Sequence, residues 1–140
     1  MTDVAQMSKS QRIASLVGSA ILLFGLLIAM YLQPDSRGHG THQQLGLPPC
    51  TFEFLLHFPC PACGMTTSWA YAARGQWQQS IQVNLGGFVF FLLAAMSVPT
   101  LVAAAILGRS PWPGLRLLAP VLLASALFLA LIQWAVRILV

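Results

Sequence analysis

Three long apolar stretches organise this chain, and a short polar segment bearing every cysteine lies between the first two. Ile13 to Leu32 runs 20 residues without an Asp, Glu, Lys or Arg, Leu85 to Leu107 runs 23, and Leu117 to Val136 runs 20. A helix rises about 1.5 Å per residue, so each stretch is long enough to cross a hydrocarbon layer of roughly 30 Å. None of the three carries the charged face that keeps a helix on the surface of a soluble protein. The pattern predicts an all-α integral membrane protein forming a single domain over residues 1–140. Its transmembrane helices cover about 13–32, 85–107 and 117–136, and two short interfacial helices carry a Cys/His loop within 38–84.

Local signals refine that outline. In the first span Ser15, Gly18, Leu22, Gly25 and Ala29 recur at spacings of three and four, a stripe of mostly small residues that lets a neighbouring helix approach. Pro34 ends the span. Pro48 and Pro49 open a short helix running through His57, which places Cys50, Glu53 and His57 on one face, and Pro59 stops it. A second short helix runs from about Met65 to Arg74, with Gly75 as its terminator and Arg74 at the negative end of its dipole. Trp77 and Ile81 share a face of the Gln-rich stretch that follows, as in a helix lying on the membrane surface. Pro99 is expected to kink the second span. Residues 109–116, with Pro111, Trp112 and Pro113, form a tight interfacial turn, and Trp134 and Arg137 read as an aromatic anchor and a snorkelling charge.

Composition sharpens the membrane reading. Hydrophobic residues make up 57% of the chain and charged residues 7%, against about a quarter charged in a soluble domain. The net charge of +4 comes from basic residues scattered beside the ends of the apolar stretches. That placement fits a lipid surface and gives no patch for nucleic acid. The three acids, Asp3, Asp35 and Glu53, leave little material for a paired-carboxylate catalytic site, and no catalytic set is assigned. No charge interrupts a span, which argues against an ion or proton path. The segment around Met30-Tyr31-Leu32-Gln33 offers no small-x-small cleavage site, so the first span reads as a retained anchor.

The distinctive chemistry is confined to 25 residues holding Cys50, Cys60, Cys63, His39, His42 and His57, the chain's only cysteines and histidines. Three readings remain open. Cys-Pro-Ala-Cys-Gly is a turn that points two sulfurs at one ion, and Cys50 with His57 would complete a Cys₃His set suited to zinc. His39 and His42 are alternative ligands, and Glu53 is a candidate outer partner for His57. In the second reading Cys60 and Cys63 exchange disulfides, the first thiolate being stabilised by a helix N-terminus. In the third the loop is structural, and the chain packs as an accessory subunit against partner helices of a larger membrane complex. Metal binding ranks first of the functional readings.

The runs Gly38-His39-Gly40-Thr41-His42 to Pro48-Pro49-Cys50 and Pro59-Cys60-Pro61-Ala62-Cys63-Gly64-Met65-Thr66 resemble the domain-of-unknown-function 2752 family of small bacterial membrane proteins. Cys50, Cys60, Cys63, Gly64, Thr66, Gly75 and Asn84 match its pattern. Thr67 and Leu85 stand where many members have Arg and Pro. The resemblance implies a bacterial cytoplasmic (inner) membrane location and brings no activity with it.

With three spans, the N-terminus and the 108–116 loop share one side, carrying Lys9, Arg12, Arg109 and Arg116, while Arg37, Arg74 and Arg137 lie on the other. Short basic flanks favour the cytoplasm. A tag at the N-terminus of the protein in sealed cells should therefore resist external protease while the Cys/His loop is accessible. Reporter fusions placing that loop in the cytoplasm would reverse the orientation.

Overall fold

The computed structural model describes residues 6–57, 60–109 and 115–139, and all of their regular structure is helical. The three spans are α1 (Lys9–Tyr31), α5 (Leu85–Leu107) and α6 (Leu115–Leu139), each long and apolar enough to cross a membrane. Between α1 and α5 come a 3₁₀ turn (Thr41–Leu45) and the short helices α2 (Thr51–Leu56), α3 (Met65–Ala72) and α4 (Trp77–Val83). The Gln-rich helix is thus α4; α2 and α3 bracket Cys60 and Cys63, and Cys50 immediately precedes α2. The expected turn around Pro111 to Pro113 and the stop at Pro59 lie outside the described residues.

The ends of the outer spans differ from the apolar runs, and at the start of α1 a cap, not hydropathy, sets the boundary. Ser8 accepts from the Gln11 N–H at 3.3 Å, and the Gln11 side chain accepts from the Ser8 N–H at 2.9 Å, a reciprocal cap that starts α1 four residues before the apolar run. The last span continues through Arg137 to Leu139. The second span matches its predicted bounds. Its N-cap is Asn84, whose Oδ1 accepts from the Gly87 N–H at 2.7 Å, and the helix passes through Pro99 without ending.

Packing is the reverse of a soluble core. Among the described residues the buried apolar side chains are Leu32 and a set of alanines, including Ala29, Ala70, Ala94, Ala105, Ala126 and Ala130. The large side chains point outward: Phe24 is 66% exposed, Met96 69% and Phe128 63%. Small residues inside and bulky apolar ones outside are what close helix contact within lipid demands. The stripe on α1 is used within the molecule. A Cβ on Gly18 would stand 3.8 Å from Leu101 of α5, and one on Gly25 3.6 Å from the Trp69 ring of α3. α5 occupies the middle, with α1 and α6 packed on it.

α5 and α6 approach closely at Gly86. A Cβ added at Gly86 would sit 2.5 Å from the Ala130 Cβ and 2.6 Å from the Ala126 carbonyl oxygen, so a glycine is needed there for lack of space. Gly86→Leu should weaken the folded protein by about 1–3 kcal/mol through overpacking. Denaturant titration in detergent, followed by helical circular dichroism, measures it; an unchanged midpoint would show that the two spans do not pack as described.

Candidate metal centre

The cysteine loop is built on a buried polar hub at the N-terminal end of α5. Ser68 and Ser80 are fully buried and hydroxyl-bonded to each other at 2.8 Å; Ser80 also donates to the Ser68 carbonyl at 2.8 Å. These bonds hold α3 against α4. Asn84, also buried, caps α5 with its oxygen and directs its amide nitrogen to the carbonyls of Cys63 at 3.4 Å and Pro61 at 3.5 Å. One side chain thereby joins a membrane span to the Cys60–Cys63 turn. The turn itself is closed by the Cys63 N–H donating to the Cys60 carbonyl at 3.0 Å.

Gly64 then takes a left-handed φ of 88° at the N-cap of α3. Any Cβ there would be strained and would lie 2.7 Å from the Gly38 carbonyl oxygen. The 38–41 segment consequently rests directly on the residue after Cys63. Thr41 secures it: its buried hydroxyl meets that of Thr67 at 2.7 Å and accepts from the Asp35 N–H at 3.0 Å. Gln44 adds a paired amide contact to Gln33 just beyond the end of α1, at 2.6 and 3.1 Å.

On that base Cys50, Cys60 and Cys63 converge, all three half-buried thiols with sulfurs within 4.8 Å of one another. The Cys60 and Cys63 sulfurs are 3.0 Å apart, and the Cys60 N–H donates to the Cys63 sulfur at 3.2 Å. Three thiolates around a tetrahedral ion at about 2.3 Å would have sulfurs about 3.8 Å apart, so the spacing asks for only small side-chain movement. Burial pushes the Cys63 thiol pKa well up, and hydrogen bonds with Cys60 and Cys50 add to it. Without a cation at its centre the cluster therefore holds Cys63 as a neutral thiol.

The other predicted residues are distributed differently. His57 follows α2 rather than ending it. It is exposed and has a left-handed φ of 58°, because α2 closes at Leu56 and Pro59 two residues later disfavours continuation. The common face expected for Cys50 and His57 is therefore lost. His42 is tied to the Pro48 carbonyl at 3.2 Å through Nε2, bracing the 41–49 loop. The Glu53 side chain lies outside the described residues. Among the described histidines, His39 borders the thiols, lining one cleft of about 320 Å³ with Cys63 and another of about 280 Å³ with Cys50. Nor does Cys60 sit at a helix N-terminus, since it precedes the first residue of α3 by five positions.

The surroundings are cationic, which the spacing of the cysteines did not foretell. Arg37 lines both clefts and Arg137 the larger one. Arg37 is held by Asp35 at 2.7 Å, and its hydrogen bonds keep the Asp35 carboxyl pKa down at about 2. Arg137 donates to the carbonyls of Gln82, at 2.6 Å, and Val83.

Residues 50–98 match the model of a family described as "Protein of unknown function (DUF2752)". The match takes in all three cysteines, α2 to α4 and the first part of α5, so the family's pattern coincides with the cysteine cluster and its polar hub. No curated protein and no solved structure matches the chain.

The raised pKa of Cys63 has a kinetic consequence. In metal-free protein at pH 8, Cys63 should be alkylated by iodoacetamide more slowly than in the denatured chain, because only the thiolate reacts. The difference should narrow as pH rises toward the folded-state pKa. Peptide mass spectrometry after timed quenching reads it, and equal rates in folded and denatured protein would contradict the described burial.

Proposed function

We propose that this protein binds a single soft or borderline metal ion, zinc first, through Cys50, Cys60 and Cys63 at the membrane surface. The observation that carries the reading is the convergence of three sulfurs from two chain segments onto one point. A disulfide uses two sulfurs, whereas a third within the same few ångströms is what a thiolate metal site requires. The buried Asn84, Ser68 and Ser80 network supports it by orienting the turn, as outer partners of metal ligands do. Thiol–disulfide exchange by Cys60 and Cys63 is the competing reading, favoured by the 3.0 Å approach of their sulfurs.

The site belongs, in this proposal, on the exoplasmic side of a bacterial inner membrane, with the N-terminus cytoplasmic. The N-terminal segment and the end of α5 share one face, where the Met7 N–H donates to the Gly108 carbonyl at 2.7 Å. Lys9, Arg12 and Arg109 lie at or next to those two segments, and Arg116 follows in the sequence just after the connecting loop, together the larger share of the basic residues.

Elemental analysis of the protein purified in detergent, run beside thiol counting with and without reductant, separates the readings. The expected result is about one metal per chain, lost in Cys60→Ser/Cys63→Ser. Absence of metal, with two thiols appearing only after reduction, would sink the proposal in favour of a disulfide.

A further inference from the structure

A tetrahedral metal site needs a fourth donor, and the three sulfurs supply only three. Among the described residues no histidine nitrogen joins the 4.8 Å set in the conformation seen. Resting on the metal reading above, we propose that His39 is the fourth ligand and that it closes the site when the ion enters.

Three independent features select it. The first is backbone placement. The carbonyl of Gly38 packs so closely on Gly64 that a Cβ there would be 2.7 Å away, which sets His39 beside the residue following Cys63. The second is the space around the ring. His39 is half-buried and forms a wall of both clefts, the one containing Cys63 and the one containing Cys50. Those clefts, about 320 and 280 Å³, are room into which an imidazole can swing about its side-chain bonds. Gly38 and Gly40 on either side hold left-handed φ of 79° and 88°, so the histidine is carried at the tip of a tight loop whose neighbours have no side chains to obstruct it.

The third is elimination by geometry. Neither His42 nor His57 lines either cleft: His42 braces the Pro48 carbonyl at 3.2 Å, and His57 stands exposed beyond the end of α2. Charge agrees. A divalent ion with three thiolates and a neutral imidazole carries one net negative charge. The cleft shared by His39 and Cys63 is also lined by Arg37 and Arg137, of which Asp35 balances one. The remaining positive charge offsets the negative core. Closure by a nitrogen makes this a four-ligand structural site with no position left for an external molecule.

Cobalt(II) loaded into the full-length protein in detergent tests this, because its thiolate charge-transfer bands report sulfur ligation and its ligand-field bands report the fourth donor. Wild type should show both and should be indifferent to added azide. His39→Ala should retain the charge-transfer bands, bind cobalt about 100-fold more weakly or worse, and acquire a ligand-field response to azide. Imidazole should restore the wild-type spectrum. That affinity loss is set against the roughly 10–100-fold cost of losing an outer partner. His57→Ala should match wild type, and circular dichroism of each variant guards against misfolding. An azide response in the wild type, or an unchanged spectrum in His39→Ala, would overturn the assignment while leaving the metal in place. Loss of the ligand-field pattern in His57→Ala instead would hand the role to that residue. Absence of any charge-transfer band would remove the metal reading itself and this assignment with it.

Discussion

The constraint on which this fold depends is the supply of hydrogen-bond donors to helix-end carbonyls at the edge of a membrane. The last carbonyls of a helix have no partner within it, and lipid offers none. Here the donors come from other helices. Arg12 of α1 reaches the Ala105 and Ile106 carbonyls near the end of α5, at 2.6 and 3.4 Å. Arg74, beyond α3, reaches the Ala29 and Met30 carbonyls at the end of α1, at 3.3 and 3.1 Å. Arg137 of α6 reaches the end of α4. Each guanidinium meets the negative pole of a neighbour's dipole, so the contact is favourable in charge as well as in hydrogen bonding. Gln133 adds the uncharged version, accepting from the Leu85 N–H at 2.6 Å and donating to Ile81 and Gln82 at 3.1 Å.

These cross-helix caps fix the depth of each span relative to its neighbours, and small side chains then allow close approach. The result places α5 between α1 and α6, with α3 and α4 also packed on it. The order matters because α5 is where the site begins. Its cap, Asn84, is the residue that holds the Cys60–Cys63 turn, and its neighbours Ser80 and Ser68 are the residues that lock α4 to α3. The cysteine cluster is therefore an outgrowth of helix packing, not a loop hung on a finished bundle.

Much of this was legible in the sequence for physical reasons that can be named. Twenty uncharged apolar residues leave little alternative to a membrane helix, and Leu85–Leu107 was recovered to the residue because Asn84 and Gly108 bound it on both sides. The three cysteines could be grouped because they are close in sequence. What could not be read is whatever depends on contacts across the fold. Arg137 looked like a lone charge at a helix end, although it lines the cleft beside Cys63, 74 positions earlier in the chain. Thr41 and Thr67 gave no sign of forming a buried pair across 26 residues. The helical face proposed for Cys50 and His57 failed because a six-residue helix is too short to carry an i, i+7 relation, and His57 leaves it through a left-handed turn.

The double duty of Asn84 ties two equilibria together. Its carbonyl oxygen seats the first turn of the central span, while its amide nitrogen seats the turn that presents Cys60 and Cys63. Whatever orders one end of that side chain lowers the conformational freedom left to the other, and such coupling is reciprocal. A ligand gathered by the thiols would steady the entry of α5 into the bilayer by the same free energy with which a well-seated α5 favours the ligand. On the metal reading, the seating of the central span and the surface site would behave as one cooperative unit, joined through a single amide.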